Sequence, residues 1–119
     1  MTYSRDTLGR VSGVSSQIPG EASETLASSV TYEPFGPMAA WTSGNGVANS
    51  RTFDQDYRVT DIEISGSGML HDLSYGYNVV DNITSLTDGL NASLSQTFDY
   101  DVLDRLSDAD GDYGDQSYT

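Results

Sequence analysis

Hydrophobic and polar positions alternate with a period of two along the best-patterned parts of this chain. Ile62 and Ile64 alternate with Asp61, Glu63 and Ser65, and Leu73, Tyr75 and Tyr77 alternate with Asp72, Ser74 and Gly76. Successive side chains of a strand point to opposite faces, so the pattern predicts sheet strands with unequal faces. No window holds the i, i+3, i+4, i+7 spacing of a stable helix. Glu21–Ser29 comes nearest, and its serines and threonine make it a poor helix former.

Turn-forming clusters separate the alternating segments: Asp6–Arg10, Ser15–Gly20, Glu33–Pro37, Ser43–Gly46 and Asp54–Tyr57. They continue at Ser65–Gly68, Asn78–Asn82, Asp88–Asn91, Asp101–Asp104 and Asp110–Asp115. Apart from one wider gap between the second and third, their centres recur roughly every 10–13 residues, close to the ~8–12-residue rhythm of all-β chains. Pro19-Gly20 suits the centre of a type II turn, and Asn45-Gly46 that of a type I′ hairpin turn. The expectation is an all-β chain of about ten short antiparallel strands, with no helix longer than about two turns.

The turns are not independent of one another. Arg5-Asp6-Thr7-Leu8-Gly9-Arg10-Val11 aligns with Phe53-Asp54-Gln55-Asp56-Tyr57-Arg58-Val59, with Tyr77-Asn78-Val79-Val80-Asp81-Asn82-Ile83 and with Tyr100-Asp101-Val102-Leu103-Asp104-Arg105-Leu106. A looser copy runs from Tyr32 through Glu33, Pro34, Phe35 and Gly36 to Pro37. The first positions lie 27, 21, 24 and 23 residues apart, a length that fits two strands and two turns, or one hairpin per copy. An aromatic precedes three of the copies by two residues (Tyr3, Tyr75, Phe98), on the same face of its strand. These rings are expected to form a ladder along the sheet. The Asp or Asn after the leading residue is expected to hydrogen-bond the turn backbone, and the Gly or Asp three residues later to adopt positive φ.

An aromatic followed by Asp-x-x-Gly-Arg and an apolar residue resembles the YD repeat of Rhs proteins, a family that includes toxin-complex shells and teneurin ectodomains. The signature falls on Asp6, Gly9, Arg10, Tyr32, Gly36, Phe53, Asp54, Arg58, Tyr77, Asn78, Asn82, Tyr100, Asp101 and Arg105. Arg5 stands where the aromatic is expected, Pro37 where the Arg is expected, and Asp81 and Asp104 where Gly is usual. The resemblance covers residues 1–119 as an array of about five hairpin repeats, incomplete at both ends. It implies one extended, curved sheet that spirals into the wall of a hollow shell enclosing a toxin or cargo domain, in a secreted or cell-surface protein.

Composition sharpens this picture. The hydrophobic fraction of 36%, against the ~45–50% usual for globular proteins, argues for an open sheet over a deep core. Eight tyrosines and three phenylalanines argue against disorder. A net charge of -13, with five arginines and no lysine, disfavours nucleic acid and anionic membranes as partners. Without cysteine there is neither a disulfide framework nor a thiolate metal site. No segment is apolar enough to span a bilayer, and Met1–Arg10 lacks the apolar stretch of a signal peptide, so an export signal would lie elsewhere.

Candidate chemistry is sparse. Asp108, Asp110 and Asp112 have the spacing of a calcium loop, but Tyr113 and Thr119 occupy the positions that need Gly and Glu, so a solvated turn is expected. His71 is the lone histidine and no G-x-S-x-G frame accompanies it, which leaves no triad. The sequons at Asn82 and Asn91 read as coincidental, since Asn82 fills the Arg position of the repeat. Trp41 and the tyrosines could stack on a sugar, making a carbohydrate-binding or adhesion module the rival reading. A hydrolase is the second rival. The expected partners are adjoining repeats of a larger protein, or other copies of this chain, through unpaired strands near Asp6–Val14 and Gln116–Thr119; no catalytic residue, metal or cofactor is expected.

Overall fold

The computed structural model describes residues 1–118. Eleven strands follow one another: β1 (Thr2–Arg5), β2 (Val11–Ser16), β3 (Glu24–Tyr32), β4 (Met38–Ser43), β5 (Ala48–Phe53) and β6 (Val59–Ser65). The rest are β7 (Met69–Tyr77), β8 (Ile83–Asp88), β9 (Gln96–Tyr100), β10 (Leu106–Asp110) and β11 (Gln116–Ser117). Each pairs antiparallel with its neighbour in sequence, so one open sheet runs from β1 to β11. Among the described residues the single helical element is a 3-10 turn at Ala92–Leu94. Glu21–Ser29 leads into β3, as its low helix propensity allows.

The sheet is one layer thick. Its extents are 62 × 31 × 21 Å, and ten inter-strand spacings of about 4.8 Å account for most of the long axis. The radius of gyration is 18.9 Å, where a compact globule of this length would have roughly 13–14 Å. Among the described residues only Val30 and Ala109 are buried apolar residues, and no side chain is fully enclosed. Stability therefore comes from the backbone ladder and from contacts between neighbouring hairpins, which reach only the next unit.

Five hairpins share one register. Arg5 pairs with Val11, Tyr32 with Met38, Phe53 with Val59, Tyr77 with Ile83 and Tyr100 with Leu106, each beside a bulge at the turn. Between hairpins the register also repeats: Ala40 faces Ser50, Asp61 faces Ser74 and Ser85 faces Thr97. The β2–β3 pair departs from it, because an extra bulge in β3 puts Ser29 at φ 53°. That bulge adds one residue and the long connection over residues 17–23 adds more, so the first two copies are the furthest apart in sequence.

Two expectations need correction. The first edge of the sheet is β1, not Asp6–Val14, because Thr2–Arg5 alternates well enough to pair with β2 and cover it. At the other end β11 is the edge strand, while Thr119 lies outside the described residues. The Ser43–Gly46 turn is not type I′, since only Gly46 (φ 82°) among its residues has positive φ. Its bonds, Gly46 N–H to Ser43 O and Ser43 N–H to Val47 O, define a type I turn closed by a glycine bulge. Ile18-Pro19-Gly20-Glu21 is the expected type II turn, with Gly20 at φ 92°.

Candidate functional site

In an antiparallel meander alternate turns fall on opposite sides, so all five signature turns line one side of the sheet. Four of them are built alike. In the first, Gly9 N–H donates to Asp6 O and Asp6 N–H to Arg10 O, with Gly9 at φ 81°. Asp6 Oδ1 accepts from the backbone N–H of Leu8 and of Arg10, both at 2.9 Å, and its Oδ2 accepts from Arg10 Nε at 2.8 Å. Asp54 holds Asp56, Arg58 N–H and Arg58 Nε in the same way, and Asp101 holds Leu103 and Arg105. Asn78 keeps the two backbone bonds, from Val80 and Asn82.

The glycine position tolerates substitution without changing the turn. Tyr57 (φ 61°), Asp81 (φ 70°) and Asp104 (φ 59°) adopt there the left-handed conformation that Gly9 adopts. The exception is Glu33–Pro37, where Pro34 precedes Phe35 at φ 55°; with Gly36 N–H bonded to Glu33 O this is a type II turn with a non-glycine residue at its third position.

Neighbouring hairpins are joined by a repeated link. The hydroxyl of Tyr32 donates to Val11 O at 2.8 Å, that of Tyr77 to Val59 O at 2.7 Å and that of Tyr100 to Ile83 O at 2.8 Å. In each case the acceptor follows the Arg or Asn of the preceding signature. That arginine covers the ring: Arg10 lies 4.6 Å from the Tyr32 centroid and Arg58 4.8 Å from that of Tyr77. Instead of ring stacked on ring, arginine meets the faces of Tyr32 and Tyr77. The same guanidiniums reach on to the carbonyls of Glu33 and Asn78, both at 3.4 Å.

The departures from the signature prove to be part of this linkage. Asp81 Oδ1 accepts from Arg58 Nη1 at 2.5 Å and Asp104 Oδ1 from Asn82 Nδ2 at 3.2 Å, so each acid at a glycine position holds the preceding hairpin. Phe53 has no hydroxyl to offer, and Tyr57 bonds Pro34 O in its place. Sequence reasoning missed these three roles. The signal was a side chain able to bond across at a site where glycine is usual.

Electrostatics follow the geometry. The Arg10 side-chain hydrogen bond holds the Asp6 carboxyl below its ordinary 3.8, and Arg105 does the same for Asp101. At Asp54 desolvation pushes upward, but the bonds from Arg58 and from the Arg58 and Asp56 backbones outweigh it, and the carboxyl is again lowered. Desolvation raises the Tyr77 phenol above its ordinary 10.0.

Elsewhere the chain offers less. Among the described residues no cluster of three or more His, Cys, Asp or Glu side chains is arranged to hold a metal ion. In the acidic turn the neighbouring Asp108 carboxyl raises that of Asp115. His71 lies within β7 opposite Ile64, beside an open hollow that it shares with Leu73, Leu86 and Tyr113. Arg51 lies 5.1 Å from the Trp41 ring centroid, covering one face of the indole. Among the described residues no helix is long and apolar enough to cross a membrane.

No family model and no curated protein matches the chain. Solved structures do. A pore structure of the Photorhabdus luminescens Tc holotoxin matches with a TM-score of 0.81 and 24% identity over 92% of this chain. The crystal structure of TcdB2-TccC3 matches with a TM-score of 0.82 and 23% identity over the same share. This chain spans 6% of the length of either. At such identity the likeness is one of fold, and it is the fold that the repeated turns imply. Signature and fold agree: over 92% of its length the chain has the fold of these structures, and that fold is an array of consecutive antiparallel hairpins.

Proposed function

We propose that the chain is a structural wall segment of a larger secreted or cell-surface Rhs/YD-type protein, whose sheet encloses a toxin or cargo domain. The signature residues are its fasteners: Asp6, Asp54, Asn78 and Asp101 shape the turns, Arg10, Arg58, Asn82 and Arg105 face the following unit, and Tyr32, Tyr77 and Tyr100 tie hairpin to hairpin. The observation that carries this reading is the repetition of one turn and one tyrosine link across hairpins that share a register. Such a plan suits a wall, since each unit presents the next with the same edge. An enzyme needs a unique constellation of groups, and repetition supplies none. The Arg51 cover over Trp41 favours packing over glycan binding.

The test pairs a glycan array with a screen of generic ester and glycoside substrates. A wall segment is expected to bind no glycan selectively and to turn over nothing. Saturable, selective glycan binding that Trp41→Ala abolishes would overturn the reading in favour of an adhesion module.

A further inference from the structure

The connection between β8 and β9 departs from the tight turns around it. It runs over residues 89–95 and contains the 3-10 turn Ala92–Leu94, which brings Leu94 to one face of the sheet. On that face His71 and Leu73 alternate along β7, Leu73 is paired with Asp88, and Leu86 with Gln96. The β10–β11 turn supplies a second wall. A Cβ built on Gly111 would fall 2.9 Å from Tyr113 Cε1 and 3.0 Å from Gln96 Cγ, so the Tyr113 ring folds back over this turn towards β9. Leu94, Tyr113 and the sheet face bound an open hollow of about 540 Å³. That is within the ~300–1,000 Å³ range of ligand sites.

Its lining is apolar with carboxylates at two points. Leu73, Leu86, Leu94 and the Tyr113 ring offer the apolar surface, and Asp88 and Asp112 the charge. Asp88 Oδ1 accepts the N–H of Leu90 and of Asn91, both at 2.9 Å, which leaves Oδ2 for a ligand. The chain has no cation to spare for either acid. It has no lysine, and its five arginines are engaged elsewhere: Arg5 with Gly9 O, Arg10, Arg58 and Arg105 with signature acids, Arg51 on Trp41. An apolar hollow with unneutralised carboxylates is complementary to a ligand that carries both an apolar group and a positive charge.

We propose that this hollow is a docking site for an extended peptide segment that presents an apolar residue and a basic residue two positions apart. Residues i and i+2 of an extended strand share a face about 6.6 Å apart. One such segment can seat its apolar side chain on Leu73, Leu86 and Leu94 and extend its cationic head to Asp88 and Asp112. The hollow is open on one side, which suits side chains held on a backbone in water. A small free amine would need a site that encloses most of its surface. The inference does not rest on the wall-segment reading.

The test titrates the isotope-labelled full chain with acetyl-Leu-Ser-Lys-amide and follows the backbone amides by NMR. Saturable shifts are expected at Leu73, Leu94 and Tyr113. Replacing Lys by Gln or Leu by Ser in the probe should each weaken binding about tenfold, and so should Asp112→Asn, which removes an exposed carboxylate. Leu94→Ser should do likewise, with unchanged amide positions in β3–β5 reporting that the sheet stays folded. Equal affinity for acetyl-Ser-Ser-Lys-amide, or equal affinity of the Asp112→Asn protein, would reduce the effect to general attraction by a chain of charge -13 and overturn the site. Hexylamine binding as tightly as the peptide would make the hollow a small-amine site and overturn the peptide reading. Either failure leaves the wall-segment reading standing, since the glycan and substrate screens test that separately.

Discussion

Tyr57 lies flat against the backbone of Gly36: a Cβ built on Gly36 would fall 2.5 Å from Cε1 of Tyr57 and 2.8 Å from Glu33 Cβ. Glycine is needed there for close approach, since the positive φ of this turn belongs to Phe35. The contact compensates for the weakest signature of the five. That turn has no Asp and no Arg, and the following hairpin opens with a phenylalanine that cannot donate. Tyr57 supplies both the ring and the hydroxyl, through Pro34 O.

Gly36→Ala is accordingly expected to cost about 1–3 kcal/mol, the usual penalty for overfilling a packed contact. Tyr57→Phe should cost about 1 kcal/mol, the net worth of one hydrogen bond. In a Tyr57→Ala background the Gly36→Ala penalty should shrink, and urea unfolding of the four proteins measures the coupling. Additive losses would mean that the two residues act apart.

At the left-handed positions, Asp104→Gly is expected to be neutral or to stabilise by up to about 1 kcal/mol, because it relieves a positive φ and forfeits one exposed amide-to-acid bond. Asp81→Gly should gain less, since it also removes the Arg58 ion pair. Thermal midpoints of the two variants rank them. A reversed order would place the turn strain above the linkage in importance.

The Asp6, Asp54 and Asp101 carboxyls are all lowered from 3.8, so the stability they lend is present above that value and is lost as pH falls through their folded values. Unfolding by acid is therefore expected to set in below about pH 4. Asp54→Asn should remove part of this dependence and still close its turn, as Asn78 closes its own. Asp54→Ala should destabilise at every pH, because the Asp56 and Arg58 N–H groups lose their acceptor. Circular dichroism across pH 2–7 would separate them.

Tyr77 is raised above 10.0, so its link holds below that value and is lost as pH climbs through the folded value. Tyr77→Phe should cost about 1 kcal/mol at neutral pH and flatten the alkaline limb of the stability profile. Unchanged alkaline lability in Tyr77→Phe would assign that limb to other groups.

Two open edges, β1 and β11, offer unpaired backbone groups. Self-association through them is expected, with a closed dimer of β1 edges preferred to a head-to-tail stack, which would bring Arg5 towards Arg105. The charge of -13 opposes either, so association should strengthen when salt shortens the Debye length to about 10 Å or less. Light scattering at two ionic strengths is the measurement, and a monomer at both would show that the edges are self-protected.

The strand pattern, the turn positions and the Asp-to-backbone bonds were legible in the sequence, because each rests on chemistry within a few residues: alternation in β6 and β7, or Asp6 reaching Leu8 and Arg10. The first edge was misplaced because Thr2–Arg5 is short and its partner is recognised only once the Asp6–Arg10 turn closes. The Ser43–Gly46 turn was misread because Asn-Gly serves two hairpin geometries that differ in a single φ. The links Tyr77 to Val59, Arg58 to Asp81 and Tyr57 to Pro34 could not be read at all. They join residues about two strands apart, and only the shared register brings them together.

The constancy of that register fixes which changes of length the protein can absorb. Excising residues 54–77 would join Phe53 to Asn78 in phase, and the shortened array would keep every remaining ring opposite an acceptor. Removing one residue from β6 or β7 would instead turn its side chains to the opposite face. The sheet should thus tolerate insertions and deletions in whole hairpins and resist smaller ones, so that an array of this kind changes its length by counting units.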